Sequence, residues 1–160
     1  MSEIPNDDLT RYMRLHVAHK QLVAEYLQLC INVLVVRAMN HDLSKFEPFE
    51  FDAYAANLSF FEGADYGSDE YKEALARIKP AIDHHFAVNR HHPEFHANGI
   101  NDMTLIDLLE MVCDWMAAAQ RGGNGPLRLD LQQQRFGIDP QLQGIIERTV
   151  QAIQEHTLDG

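Results

Sequence analysis

Five of the nine histidines in this 160-residue chain fall between Asp83 and His96, at positions 84, 85, 91, 92 and 96. That density far exceeds an even spread, and neutral imidazole is a common ligand of divalent transition metals. A second chemical signal is the adjacent pair His41-Asp42, with Lys45 three residues after the aspartate. The pair offers a metal one nitrogen and one or two oxygens, and the lysine offers positive charge to an anion held there. A third signal is an acidic stripe, Asp107, Glu110 and Asp114, at i, i+3 and i+7 in an otherwise apolar stretch from Leu105 to Met116. A helix of that composition is expected to be largely buried. Carboxylates buried without partners cost several kcal/mol each, roughly, so these must meet Arg or Lys, the histidines or a metal. For Asp114, metal or histidine pairing is the favoured account. His16 and His19, three residues apart, share a face of an earlier helix.

The elements that must position these residues read as helices throughout. Pro5-Asn6-Asp7-Asp8 opens the first, with acids at the positive end of its dipole. No Gly or Pro occurs between Asn6 and Asp42. The pattern allows one long helix over this stretch; two, with a break near Leu27 to Ile31, is the favoured account. A short helix is expected from Phe46 to about Asn57, with Pro48 in its first turn. Gly63, Gly67 and Ser68 mark a loop, and Ser68 caps a helix through Tyr71, Leu75, Ile78 and Ile82 that Pro80 must kink or restart. Continued to His92, that helix would align His84 with His91 and His85 with His92, two turns apart. Asn101 or Asp102 is expected to cap the helix Met103 to Ala119. Residues 121–126, rich in glycine, end it as the flexible segment of the chain. A weak helix near Leu127 to Gln134 and a packing helix capped by Asp139 and started by Pro140 complete an all-α fold of about six helices.

Length fits one domain with a full core. With 24 acidic against 13 basic residues, the net charge is -11, which argues against bulk nucleic-acid binding through a basic surface. Cys30 and Cys113 read as reduced core thiols of a cytoplasmic protein. No basic segment leads into an apolar one at the N-terminus. The apolar run Leu27 to Met39 is too short to span a bilayer, so no membrane association is expected.

The order of an early histidine (His19, followed by Val23), His41-Asp42-Leu43-Ser44-Lys45, a histidine cluster and Cys113-Asp114-Trp115-Met116-Ala117-Ala118 resembles the HD-domain superfamily of metal-dependent phosphohydrolases. The resemblance covers roughly Arg11 to Arg121. His91-His92-Pro93-Glu94 is similar to the His-His-Glu of the branch that hydrolyses cyclic dinucleotides. The Gly-Tyr-Pro of that branch is missing, however, and Phe95-His96-Ala97-Asn98-Gly99 stands in its place. The pattern, with Phe49, Glu50 and Tyr54 after Lys45, is also similar to a little-characterised group of small phage and bacterial HD-like proteins, from which no activity carries over.

The resemblance implies one HD-like helical domain over residues 1–160, its core about 9–121 and its packing helices 127–158. It implies a first metal on His19, His41, Asp42 and Asp114, with His16 open as a substitute for His19. His84 or His85, with His91 and His92, would serve a second ion or line the substrate pocket. Mixed imidazole and carboxylate donors suit Mn, Fe, Co, Ni or Zn, one or two ions. Asp42, Lys45, His84 and His85 are the candidate catalytic residues. Lys45 and Arg90 are the candidates to neutralise a small phosphorylated substrate such as a nucleotide. The expected activity is metal-dependent phosphoester hydrolysis. The rivals are a catalytically silent metal- or nucleotide-binding module, such as a phage accessory protein acting on a host partner, and a plain helical interaction protein. The face from Ile145 to Ile153 could pair two copies as a homodimer.

Overall fold

A computed structural model describes residues 6–61, 64, 68–122 and 127–158, and every regular element among them is helical. The expected loop glycines Gly63 and Gly67, Pro5 of the expected helix start, and 123–126 of the glycine-rich segment lie outside these residues. Eight α-helices occur among the described residues, against about six expected, together with short 3-10 turns. The chain separates into two units, Met1–Asn40 and His41–Gly160.

The first unit is one helix, α1, Asn6–Asn40. The expected break near Leu27 to Ile31 does not occur. Nothing there removes a backbone hydrogen bond, and the β-branched residues of the run cost only tenths of a kcal/mol each, roughly. Gln28 also donates to Asn32 one turn on at 3.0 Å, bracing the region where the break was expected. None of the α1 side chains is buried. The helical stretch Asn6–Phe46 is longer than the apolar run taken from sequence, with mean hydropathy 1.6 over an 18-residue window. By length and composition alone it is enough to cross a bilayer, although Glu25, Gln28, Asn32 and Arg37 interrupt it.

The second unit carries α2 (Pro48–Ala56), α3 (Leu58–Phe61), α4 (Asp69–Arg77), α5 (Lys79–Val88), α6 (Leu105–Gly122), α7 (Leu129–Phe136) and α8 (Pro140–Leu158). Their boundaries follow local chemistry. Ser68 Oγ accepts from the Tyr71 amide at 3.1 Å and caps α4, as expected. Pro80 restarts the chain as α5, sitting in the first turn where its missing N–H has no role. Asp139 Oδ1 accepts from the amides of Gln141 and Leu142 at the start of α8. The cap of α6 is Thr104, in place of the expected Asn101 or Asp102. Thr104 Oγ1 accepts from the Asp107 amide at 3.2 Å while Asp107 Oδ2 accepts from the Thr104 amide at 3.0 Å. This is a capping box with aspartate in the glutamate position.

One core joins α6, α7 and α8: Val112, Ile138, Ile146 and Val150 are buried, with Trp115 stacked on Phe136 at 5.9 Å beside them. Ala74, Ile78 and Ala81 are buried at the α4–α5 junction. On α6, Met111 and Val112 are buried while Leu105 is 81% exposed, so the helix is less enclosed than its composition suggested. Cys30 and Cys113 are both exposed free thiols, not the core residues expected, because apolar neighbours in sequence do not fix which face a residue occupies.

Candidate metal centre

The expectation that α5 runs on to His92 fails. The helix stops at Val88, and Asn89 turns the chain into extended backbone. The Asn89 side chain donates to the His85 carbonyl at 2.8 Å and to Ser44 Oγ at 2.8 Å, so a tertiary bond holds the helix end. His91 and His92 therefore sit on a loop that folds back over α5. The pairing of His85 with His92 survives by this route, with their Nε2 atoms 2.9 Å apart.

Asp42 is the hub. It takes a left-handed conformation, φ 57°, and is the sole described non-glycine residue with positive φ. Aspartate tolerates that region better than most residues, and the turn starts the 3-10 segment Leu43–Phe46. Asp42 Oδ1 lies 3.2 Å from His85 Nε2 and 3.4 Å from His91 Nε2. Asp42 Oδ2 lies 3.7 Å from His41 Nε2, and Asp114 Oδ1 lies 3.6 Å from the same nitrogen. Donors of a tetrahedral ion bound at 2.0–2.1 Å stand about 3.3 Å apart. The observed spacings already match that figure.

Two sets of potential donors are close enough to share an ion: Asp42, His85, His91 and His92, and His41, His91 and Glu110. Within the first set, Asp42 Oδ1 and His91 Nε2 are buried and find no hydrogen-bond partner. Buried polar atoms are seldom left so, because each costs roughly 1–3 kcal/mol. Two unpartnered polar atoms facing each other at 3.4 Å are a pair that a shared cation would satisfy. The residues therefore could hold a metal ion, on donor sets other than the His19, His41, Asp42 and Asp114 expected for a first metal.

A family model described as a family of unknown function, DUF5662, matches residues 9–156. The chain belongs to the DUF5662 family. No curated protein and no solved structure matches it. The helical fold and the His/Asp cluster are compatible with an HD-like fold, but no HD-domain family matches.

The electrostatics of this DUF5662 protein's cluster are strained in both directions. His41 is pushed up to about 9, chiefly by the Asp114 carboxylate beside it, against burial and with help from Glu110 and Asp42. His92 is pushed down to about 3, by burial first and then by the neighbouring rings of His91 and His85. Burial likewise lowers His91. Asp42 is held well below the ordinary carboxylate range: burial would raise it, but the neighbouring His85 ring and the Lys45 ammonium outweigh that effect. Tyr54 is pushed up to about 12 by burial and by the charges of Glu50 and Asp42, so its phenol keeps its proton.

Of the residues expected to form the site, His41, Asp42, Lys45, His84, His85, His91, His92 and Asp114 gather in the second unit. Lys45 Nζ lies 2.6 Å from Asp42 Oδ2. Arg90, expected to meet substrate, makes a two-pronged pair with Asp107, at 3.2 and 3.1 Å. His16 and His19 lie on α1, in the first unit, so the cluster described here is built from the second unit alone. Two members were noted in the sequence but given no place in the site. Glu110 Oε1 lies 2.9 Å from His41 Nδ1 and 3.3 Å from His91 Nδ1. Glu50, fully buried, lies 2.7 Å from His84 Nδ1 and 2.9 Å from His85 Nδ1. The signal for Glu110 was its place in the acidic stripe. For Glu50 it was an acid between Phe49 and Phe51, in an apolar setting that leaves a carboxylate little solvent.

Proposed function

We propose that this protein is a metal-dependent phosphohydrolase acting on a nucleotide or another small phosphoester. The observation that carries the metal part of the reading is the pair of buried, unpartnered atoms, Asp42 Oδ1 and His91 Nε2. Asp42, His85, His91 and His92 would hold the ion, with His41 and Asp114 beside them. An imidazole-rich donor set of this kind favours Mn, Fe, Co, Ni or Zn over Mg. Bound there, a divalent transition metal supplies Lewis acidity toward a phosphoryl oxygen and a means of activating water at neutral pH.

The chain's own residues supply the rest. Lys45 lies beside Asp42, with its side chain 39% exposed, and reaches an incoming phosphate by swinging away from that carboxylate. His84 is fixed through Nδ1 by Glu50 with a side chain 36% exposed, and it is the group placed to pass a proton to a leaving oxygen. The test is a panel of nucleotides and phosphoesters assayed with added Mn, Co or Zn. Hydrolysis of one class, lost in Lys45→Ala and His84→Ala with metal still bound, supports the reading. Metal-loaded protein that turns over no member of the panel contradicts it.

One observation favours a second reading, a catalytically silent metal- or nucleotide-binding module. Both cations expected to meet phosphate are engaged within the chain, Lys45 with Asp42 and Arg90 with Asp107. Nucleotide binding without turnover in the same panel would select it.

A further inference from the structure

We infer that Glu50 and Glu110 are a matched pair of positioning residues, each holding two histidines by their Nδ1 hydrogens, so that the Nε2 lone pairs of His85 and His91 are left to the metal centre and that of His84 to the substrate side. The inference rests on the metal-centre reading above and names what sets the ligand orientations.

A neutral imidazole has one N–H and one lone pair, and an ionised carboxylate only accepts. Glu50 faces three donors: His84 Nδ1 at 2.7 Å, His85 Nδ1 at 2.9 Å and Ser44 Oγ at 3.0 Å. It has no exposed surface, so water does not stand in for any of them. Were either ring turned to the other tautomer, a buried carboxylate oxygen would confront a lone pair, an arrangement costing several kcal/mol, roughly. Both rings therefore carry their hydrogen on Nδ1. Glu110 repeats the device with a single oxygen, Oε1, shared by His41 Nδ1 and His91 Nδ1. The Nε2 atoms of His41, His85 and His91 consequently meet around the Asp42 carboxylate, at 3.7, 3.2 and 3.4 Å.

The same chemistry ranks the two overlapping donor sets. His91 belongs to both, yet a neutral ring has one lone pair to give. With its Nδ1 hydrogen on Glu110, that lone pair goes to the Asp42 set. The set of His41, His91 and Glu110 is then a bracket for ligands and not a second ion site. Each glutamate thus does for two histidines what the carboxylate partner of a metal-bound histidine ordinarily does for one.

The experiment titrates Co(II) into the metal-free full-length protein and follows affinity, stoichiometry and the visible spectrum for wild type, Glu50→Gln and Glu110→Gln. At Glu50 an amide can accept from one of its two histidines but presents a donor to the other; at Glu110, where one oxygen serves both, the amide leaves a neutral acceptor that holds both rings more weakly. Both variants should bind one Co(II) per chain about 10–100-fold more weakly, with an altered visible spectrum. A general loss of packing would lower the melting temperature of the metal-free form without changing the spectrum of whatever Co(II) still binds. Wild-type affinity and spectrum in both variants would overturn the inference. So would a second equivalent in wild type that Glu110→Gln removes, since Glu110 would then be a ligand. Should Glu50→Gln not fold, Glu110→Gln and Glu50→Asp carry the same comparison. Wild type that takes up no Co(II) defeats the metal-centre reading itself, a result visible without any variant.

Discussion

Replacing Asp107 by asparagine tests whether the loop bearing His91 and His92 is pinned to α6 by charge. Asp107 is 1% exposed and takes both prongs of Arg90, the residue immediately before His91, while closing the capping box with Thr104. Burial alone would raise its pKa. The Arg90 hydrogen bonds, then those of the Thr104 amide and hydroxyl, outweigh burial and bring it from 3.8 down to about 2. A folded-state pKa below the unfolded one stabilises the fold above pH 4 or so, and that stability is lost as pH falls through the folded value. The shift corresponds to roughly 2 kcal/mol at pH 7 and about half of that at pH 3. Asparagine keeps the shape but not the charge, so Asp107→Asn should unfold in urea with a deficit of roughly 2 kcal/mol at neutral pH, or about 4–8 °C in melting temperature. The deficit should narrow steadily as the comparison is repeated toward pH 3. A deficit under 0.5 kcal/mol or so at pH 7, or one that does not change with pH, would refute the charge argument.

Other consequences follow from packing and backbone. Gly137 ends α7 at φ 63° with open space where a Cβ would sit, so Gly137→Ala should cost about 1 kcal/mol from backbone strain alone, read by urea unfolding. A neutral effect would show that the αL cap is not needed. Met111→Ala empties a site that is 1% exposed on α6 and should cost about 2–5 kcal/mol; a loss below 1 kcal/mol or so would mean the helix repacks. Ser68→Ala removes the cap of α4 and should cost about 0.5–2 kcal/mol with no effect on metal affinity.

Local chemistry made much of this legible in the sequence. Pro80, Ser68 and Asp139 sit where their backbone preferences and side-chain acceptors require, because those effects act within one turn of chain. The histidine density and the His41-Asp42 pair pointed to the centre that the structure builds around Asp42. What was hidden depends on partners far along the chain. The end of α5 is set by Asn89 reaching Ser44, 45 residues away, which no helical periodicity encodes. The acidic stripe of α6 was visible, but its division was not. Asp107 goes to Arg90, whereas Glu110 and Asp114 go to His41. Glu50 was noted only as part of the pattern after Lys45, and its place between two imidazoles depends on the approach of α5. The continuity of α1 was one of two readings the sequence left open, and nothing between Asn6 and Asn40 removes a helical hydrogen bond.

Elemental analysis of untagged protein, gently purified and compared with Asp42→Ala, tests the central claim most directly. Asp42 Oδ1 lies within 3.4 Å of both His85 Nε2 and His91 Nε2, so its loss removes the hub of the donor set. Wild type should carry a first-row transition metal near one equivalent per chain, and Asp42→Ala should carry little. Wild type below about a tenth of an equivalent, even after incubation with Mn, Co or Zn, or a variant that binds as wild type does, would contradict the account.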